Sequence, residues 1–592
     1  MKNSISFILL FLLIPLWSFA QWTDNVEENT MVFDDANDQV LPKVAVNPSN
    51  GESYISWFST DMSYQYDVYM QRLDADGYKL WADDGLLISD HPTWTWVTDY
   101  DLVIDHSGNA ILVTQDKRTG ISNVFAYKIS ANGDFIWGED GVGLSNNDGF
   151  NPSPKAIVLD DNSVIFGWKH EPSVQGFSEI NLQKLNADGI ATWADFTTIS
   201  NDSMHCLMPY FLKSDNNSVI ATWVEVENVD TVMGNWPNMY IYAQKIDSDG
   251  NFMWDEKVAV DDSDNMPLKS FMPSLTVDGN GGFIIAWMAF PTGPNYSSYI
   301  QHINADGQPQ WKPNGINVSD SVQFLHTYPK VAYLPEHGET FVFWNEQREY
   351  SGTDIRNAIF GQKFDSSGEP QWQPGGMIFD GMYQDPDTVV TLQNISLGDP
   401  DEITLFFGKE FLQIESPDTL IISRYHAMKI NRDGQLAWDA GKPLISNAPS
   451  SKFGFDNSLL CNDQWVIVWA DNRNDPDHSY ITGIYAQNIT INGNMGPSAV
   501  EEISTEKTAR ISAMPNPFSN LVTIRYDLPE RGHIRMDLYS MDGSLIKNII
   551  DDIQPKGSSG VELNTSNLTN GFYLLMLKTH HDVIIHKIVK GN

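Results

Sequence analysis

A short hairpin recurs eight times along this 592-residue chain. Its first copy reads Gln71-Arg72-Leu73-Asp74-Ala75-Asp76-Gly77, followed by Trp81, then Gly85 and an apolar strand ending near Ser89. The turn glycine returns at Gly133, Gly189, Gly250, Gly307, Gly368, Gly434 and Gly493, in steps of 56 to 66 residues. Four residues after each of the first seven glycines stands a tryptophan: Trp81, Trp137, Trp193, Trp254, Trp311, Trp372 and Trp438. A period near 60 with a fixed turn and a fixed aromatic specifies a repeat architecture, in which each unit buries its apolar face against the next.

Each unit reads as four strands. The first follows a proline or polar cluster, as at Lys43–Val46, Pro154–Leu159, Pro209–Leu212, Pro273–Val277 and Pro329–Tyr333. The second ends in Trp57, Trp168, Trp223, Trp287, Trp344 or Trp469, with Thr114 and Phe407 in the other two units. The third is the Gln-Arg or Gln-Lys strand before the turn, and the fourth carries the hairpin tryptophan. Alternating apolar residues and turns dominate, and helical periodicity is poor. Four short antiparallel strands per unit predict an all-β, eight-bladed β-propeller over residues 21–497. Seven blades is the alternative, should the stretched unit around Thr388–Trp438 fail to form a full blade.

The ends of the array predict how it closes. The eighth unit stops after its third strand, and Gly493 has no tryptophan four residues on. Trp22 followed by Met31-Val32-Phe33-Asp34 is similar to Trp372 followed by Met377-Ile378-Phe379-Asp380. The first residues are therefore expected to supply the outer strand of the last blade, which would remove the open sheet edges. The units resemble a tandem repeat of about 60 residues, of the delta-60 kind common in secreted bacterial proteins, most nearly at Gln183–Gly189. That resemblance implies a fold and little chemistry.

Asp74-Ala75-Asp76-Gly77 and Asp247-Ser248-Asp249-Gly250 raise the question of Ca2+. Sister turns read Ser130-Ala131-Asn132-Gly133 and Thr490-Ile491-Asn492-Gly493, which keep turn propensity and lose the carboxylates. The reading is a tight hairpin turn, with Ca2+ as the alternative, and no cofactor is otherwise implied. The thirteen histidines show no metal-ligand spacing.

Met1-Lys2-Asn3, the apolar run Phe7–Leu16 and Ser18-Phe19-Ala20 have the order of a Sec signal peptide, with cleavage expected between Ala20 and Gln21. The run is short for a membrane span, and a retained anchor is the alternative. Cys206 and Cys461 are read as two thiols, because a bridge needs Cα atoms within about 7 Å. The formal net charge is −41, and the last 82 residues hold eight basic and eight acidic residues. The acidity therefore lies in the repeats, a surface that repels nucleic acid and anionic membranes and favours solubility outside the cell.

In an up-and-down four-stranded unit the strand 1–2 and 3–4 loops share one face, and here they are short and repetitive. The strand 2–3 and 4–1 loops share the other and are long and variable. Ligand residues are expected on that variable-loop face. Trp94, Trp96 and Trp236 are the loop tryptophans that fit neither repeat position; they serve as sugar platforms or protein hot spots, or else pack the loops onto the blades. Charged residues of the same face include Lys117, Arg118, His170, Glu171, Glu346, Arg348, Lys409, Glu410, Asp471 and Arg473. Of these, Arg118, Arg348 and Arg473 join the tryptophans as candidate ligand residues. No His-Glu-x-x-His, Gly-x-Ser-x-Gly or phosphate loop occurs, and no catalytic residue is assigned.

After a polar linker, 498–510, the sequence changes character. Met514-Pro515-Asn516-Pro517-Phe518 opens a run of strands at Val522–Tyr526, Ile534–Tyr539 and Leu545–Ile550. These include a Met541-Asp542-Gly543 turn, then Asn570-Gly571-Phe572-Tyr573 and a final Lys587-Ile588-Val589-Lys590. This predicts a small β-sandwich. Over 511–592 these motifs closely resemble the type A C-terminal sorting domain of the type IX secretion system of Bacteroidota. A carbohydrate-binding or fibronectin-like module is the alternative. The resemblance implies Sec export, passage through the outer membrane, then removal of the domain, with the cargo released or attached to lipopolysaccharide. It places the sorting signal at Pro515, Asn516, Pro517, Gly543, Gly571, Lys587 and Lys590.

Three functions are consistent with this sequence. The leading one is a monomeric secreted or cell-surface binding protein for a glycan or protein. The others are a secreted polysaccharide-degrading enzyme with acid and base on the variable-loop face, and a structural or adhesion component.

Overall fold

The computed structural model describes residues 22–60, 65–93, 100–146, 149–173, 176–227, 239–263, 273–289, 295–321, 323–351, 354–383, 388–415, 418–475, 481–496, 510–516, 518–528, 531–540, 544–579 and 583–591. It comprises two compact units, Met1–Pro497 and Ser498–Asn592. The expected signal peptide, with Ala20 and Gln21, lies outside the described residues.

Among the described residues, the first unit holds eight four-stranded antiparallel sheets. Their first strands are Asp38–Val46, Asp101–Ile104, Lys155–Val158, Met204–Lys213, Ser274–Val277, Leu325–Leu334, Thr388–Asp399 and Lys452–Asn457. Their second strands are Ser53–Thr60, Ala110–Asp116, Val164–His170, Val219–Glu227, Phe283–Ala289, Glu339–Ser351, Glu402–Glu415 and Gln464–Asp471. The central residues of the second strands are mostly apolar and buried, as a strand covered on both faces must be, whereas the long sixth and seventh carry polar residues toward their ends. The stretched seventh unit is a full four-stranded sheet with long second and third strands.

Each first strand lies against the first strand of the next sheet, and that of the eighth lies against that of the first. In the eighth sheet, Gly483–Thr490 is flanked by Thr30–Phe33, with Thr30 opposite Ala486 and Met31 opposite Tyr485. Apolar side chains fill the space between neighbouring sheets. One such cluster joins Val466, Val468 and Ile484 of the eighth sheet to Val44, Ile55 and Trp57 of the first.

The hairpin motif couples successive sheets. The indole of Trp81 donates to the Ala131 carbonyl at 3.0 Å, Trp137 to Ala187 at 3.1 Å, Trp254 to Ala305 at 2.9 Å and Trp311 to Ser366 at 3.1 Å. Each acceptor lies two residues before the next turn glycine. A Cβ at Gly189 would stand 2.8 Å from the Trp137 ring, and one at Gly307 2.9 Å from Trp254. The glycine thus serves the turn through its positive φ and also clears room for the preceding unit's indole.

Around the first strands the backbone is bulged. Leu41, Ser153, Met208 and Tyr328 each precede a proline and have φ between 50° and 57°. At Leu41, Met208 and Tyr328 the pairing register slips just beyond, between Val40 and Lys43, Leu207 and Tyr210, and Thr327 and Lys330. Left-handed backbone at a non-glycine residue is strained, and a bulge re-aims the strand that carries it.

The second unit contains a three-stranded sheet of Arg510–Met514, Leu521–Leu528 and Gly557–Asn564. A four-stranded sheet runs Leu545–Gln554, Gly532–Ser540, Gly571–Lys578, Val583–Lys590. Phe518, Val522, Ile524, Leu538, Leu575 and Ile588 are among its core.

Candidate functional site

The second strands end on the variable-loop face, and there the sequence pattern Trp-x-acid repeats. The Trp223 indole donates to Glu225 at 3.1 Å, Trp344 to Glu346 at 3.2 Å and Trp469 to Asp471 at 3.0 Å. A buried carboxylate demands a counter-charge. Each has one: Lys257 for Glu225, Arg348 for Glu346, and Arg473 with Lys452 for Asp471. Asp116, two residues after Thr114, pairs in the same way with Arg118 at 2.6 Å. Burial alone would raise the Asp471 carboxyl, but Lys452 and Arg473 override it and hold it below the usual carboxylate range. Burial pushes the Lys452 ammonium down to about 8.

These networks define what the three candidate arginines do. Arg118, Arg348 and Arg473 have side chains 14%, 23% and 10% exposed. Each guanidinium stacks on an aromatic ring: Phe125 at 3.8 Å, Phe324 at 4.3 Å and Tyr485 at 4.0 Å. Arg118 also donates to the Asp140 carbonyl, and Arg473 to the Glu27 carbonyl at 3.2 Å and Asn29 Oδ1 at 3.2 Å. They stand in the second, sixth and eighth sheets, each within its own network. Trp94, Trp96 and Trp236 lie outside the described residues.

The seventh position carries a different arrangement. Asp380, buried, accepts from the Tyr383 hydroxyl at 2.5 Å, from Lys442 at 2.7 Å and pairs with Lys409 at 3.0 Å. Lys409 also donates to the Tyr383 oxygen at 2.8 Å. Burial and the adjacent Asp380 push the Tyr383 phenol far above its ordinary range. Nearby, the His426 imidazole stacks on Phe407 at 5.3 Å. Burial, with Lys409 and Arg424 close by, lowers it to about 4.

Closer to where the first strands meet, Lys43, Asp101, Lys155, Ser274, Lys330 and Asp456 occupy equivalent register positions. Asp456 Oδ2 accepts the Val44 amide at 3.0 Å, Asp101 Oδ2 that of Ala156 at 3.0 Å, and Ser274 Oγ that of Val331 at 3.0 Å. Each acceptor thus caps the first strand of the following sheet, beside its lysine.

The turn carboxylates are engaged within their own hairpins. Asp74 Oδ1 accepts the amides of Asp76 at 3.0 Å and Tyr78 at 2.8 Å, and Asp247 Oδ1 those of Asp249 and Asn251. Among the described residues, no group of three or more His, Cys, Asp or Glu side chains is placed to hold a metal ion. Cys206 and Cys461 are free thiols, and burial pushes Cys206 up to about 12.

Sequence reasoning singled out Glu346, Arg348, Lys409, Asp471 and Arg473 but missed Asp116, Glu225, Lys257, Asp380, Lys442 and Lys452. The Trp-x-acid spacing would have found Glu225. Lys257 and Lys442 come from neighbouring strands and have no local signal.

In the second unit, Asn516 ties the Pro515-Asn516 opening to the last strand, accepting the Val589 amide at 2.8 Å and donating to the Lys587 carbonyl at 3.2 Å. Lys587 is exposed and stacks on Phe572 at 4.1 Å, while Lys590 is buried and donates to the Thr565 carbonyl. Gly571 begins the strand paired with that end. Pro517 and Gly543 lie outside the described residues.

Residues 512–591 match the family described as the secretion system C-terminal sorting domain. This is the sorting domain of type IX secretion, and it marks the protein for export, as a secreted or outer cell-surface protein that engages the type IX machinery. No curated protein matches the chain. Among solved structures, a protein of unknown function from Dyadobacter fermentans is 11% identical, with 58% of this chain and 94% of that one covered at a TM-score of 0.32. A polysaccharide lyase of family PL25, an ulvan lyase, is 12% identical over 78% and 96%, at 0.37. An endo-arabinase from Bacteroides thetaiotaomicron is 14% identical over 47% and 98%, at 0.26. These likenesses are too distant to bear on chemistry.

Proposed function

We propose that the protein is a binding module exported by type IX secretion, a closed eight-bladed β-propeller whose variable-loop face holds a glycan or a surface protein. The observation that carries this reading is the ring of first-strand contacts, in which the eighth sheet returns to the first. With one repeat position per sheet, a ring of this kind would bring the variable loops to one mouth. Trp94, Trp96 and Trp236 fall in those loops and are proposed as the aromatic contacts. Arg118, Arg348 and Arg473 lie beneath those loops and are proposed to support the face through their buried carboxylates rather than to donate to the ligand. The propeller, 21–497, is proposed to act as cargo once the linker 498–510 and the sorting domain are removed, with lipopolysaccharide attachment as one fate.

A second reading, a polysaccharide-degrading enzyme, draws support from Asp380, Tyr383 and Lys409, because a tyrosine between a carboxylate and an ammonium is a familiar proton-transfer arrangement. The raised Tyr383 phenol argues against it as a base at neutral pH. Screening the intact protein against a panel of immobilised polysaccharides, recording retention and released reducing ends together, separates the two. Retention without products, lost on Trp94→Ala with Trp96→Ala, supports the binding module. Products that vanish on Tyr383→Phe would replace it with the enzyme.

A further inference from the structure

The register positions where the first strands meet are not equivalent in charge. Lys43 has Asp456 on the preceding sheet, and Lys155 has Asp101. At Lys330 the preceding sheet offers Ser274, an uncharged hydroxyl. Among the described residues Lys330 has no hydrogen-bonded or ion-paired partner. Its neighbours Pro329 and Val331 are buried, Val331 within the cluster between the fifth and sixth sheets. Lys330 itself projects to the opposite side and stays partly accessible. The carboxylate that acts on it is Asp456, two sheets away. Asp456 in turn senses Lys43 and Asp101. Lys43, Asp101, Lys330 and Asp456 stand at one register level on the first strands of the first, second, sixth and eighth sheets, and those first strands meet in a ring around a central space.

At the variable-loop end of the same strands stand two exposed rings. Tyr328 is 45% exposed at the strained bulge two residues before Lys330, and Phe453 is 52% exposed on the eighth sheet. Exposed aromatic faces on the strands that carry an under-compensated ammonium and its distant carboxylate offer the two kinds of contact that recognition of an acidic sugar uses.

We propose that Lys330 anchors an anionic group, a uronate carboxylate or a sulfate ester, of a glycan entering this space, with Tyr328 and Phe453 presenting their rings to the sugar. The proposal rests on the binding reading above and assigns that reading its ligand class. The protein's overall negative charge does not forbid it, since charges beyond about 8 Å are largely screened at physiological ionic strength. Burial lowers the Lys330 ammonium from its ordinary range, with Asp456 opposing, and an incoming anion would restore it.

The test uses the intact protein with lysines reductively methylated by 13C-formaldehyde, which keeps their charge, and the Lys330 signal assigned by its loss in Lys330→Arg. Sodium D-glucuronate and sodium sulfate are titrated separately at ionic strength held constant with chloride. A saturable shift of the Lys330 signal, larger than those of Lys43 and Lys155, is expected with at least one probe, and the probe that gives it identifies uronate or sulfate. No shift beyond the chloride control with either probe overturns the proposal. On the polysaccharide panel, Lys330→Gln is expected to weaken retention of acidic polymers at least tenfold. Undiminished retention would overturn the Lys330 assignment and leave the binding face standing, whereas no retention by the unaltered protein would remove the binding reading itself.

Discussion

The Trp22 indole donates to the Ala75 carbonyl at 2.9 Å, joining the start of the described chain to the hairpin of the first sheet 53 residues away. The Trp22 amide also donates to the Asp76 carbonyl at 2.8 Å, and a Cβ at Gly77 would stand 2.6 Å from its ring. This repeats what Trp81 does to the next hairpin. Trp22, 1% exposed, thus stands in for the tryptophan that Gly493 lacks. Trp22→Ala is expected to cost about 3–5 kcal/mol, read as a lower urea midpoint. An unchanged midpoint would mean that the N-terminal strand contributes nothing to stability.

The double duty of the turn glycines separates two positions. Gly250 has φ +88°, and a Cβ there would meet Thr197 Oγ1 at 2.6 Å and the Trp193 ring at 3.0 Å. Gly120 has φ +94° with nothing within 4 Å. Gly120→Ala carries only the backbone term, about 1 kcal/mol, whereas Gly250→Ala adds steric displacement for a total of about 2–4 kcal/mol. Denaturant unfolding of both variants checks the difference.

His426 gives the protein an acid-sensitive element. Its folded value of about 4 lies below its ordinary 6.5. Between those values the unfolded chain binds the proton more readily, so stability is complete above about pH 6.5 and falls toward pH 4. The loss is on the order of 1–3 kcal/mol. His426→Phe, which keeps the stack on Phe407, is expected to flatten this part of the profile. Urea midpoints from pH 4 to 7 for both proteins isolate the histidine from the carboxylates that titrate nearby.

Asp471→Asn removes the counter-charge of Lys452 and Arg473 and is expected to cost about 3–5 kcal/mol, as breaking buried pairs does. The exposed pair Lys213 and Asp160, at 2.6 Å, is the contrast: Asp160→Asn is expected to leave the urea midpoint unchanged. Equal effects would contradict the assignment of Asp471 as a buried clamp.

The sheets were legible in the sequence because a period-2 pattern, a turn glycine and a tryptophan recur together at one spacing. The likeness of Trp22–Asp34 to Trp372–Asp380 marked the strand that pairs with Gly483–Thr490. The sorting domain was legible because its motifs are local and in order. The site was less so. Arg118, Arg348 and Arg473 read as free rim cations, because nothing local reveals that the carboxylate two residues earlier is buried beneath a tryptophan or ring. Lys257 with Glu225, and Lys442 with Asp380, meet from different strands. The odd charge at Lys330 emerges only when eight first strands are set in register around one space.

The measurement that tests the binding account most directly is hydroxyl-radical footprinting of the intact protein with and without the polysaccharide that it retains best. The account predicts protection at Trp94, Trp96, Trp236, Tyr328 and Phe453, on the variable-loop face, and none at the hairpin turns on the other. Protection concentrated at turns such as Asp74–Gly77 and Asp247–Gly250, with the loop tryptophans unchanged, would contradict it.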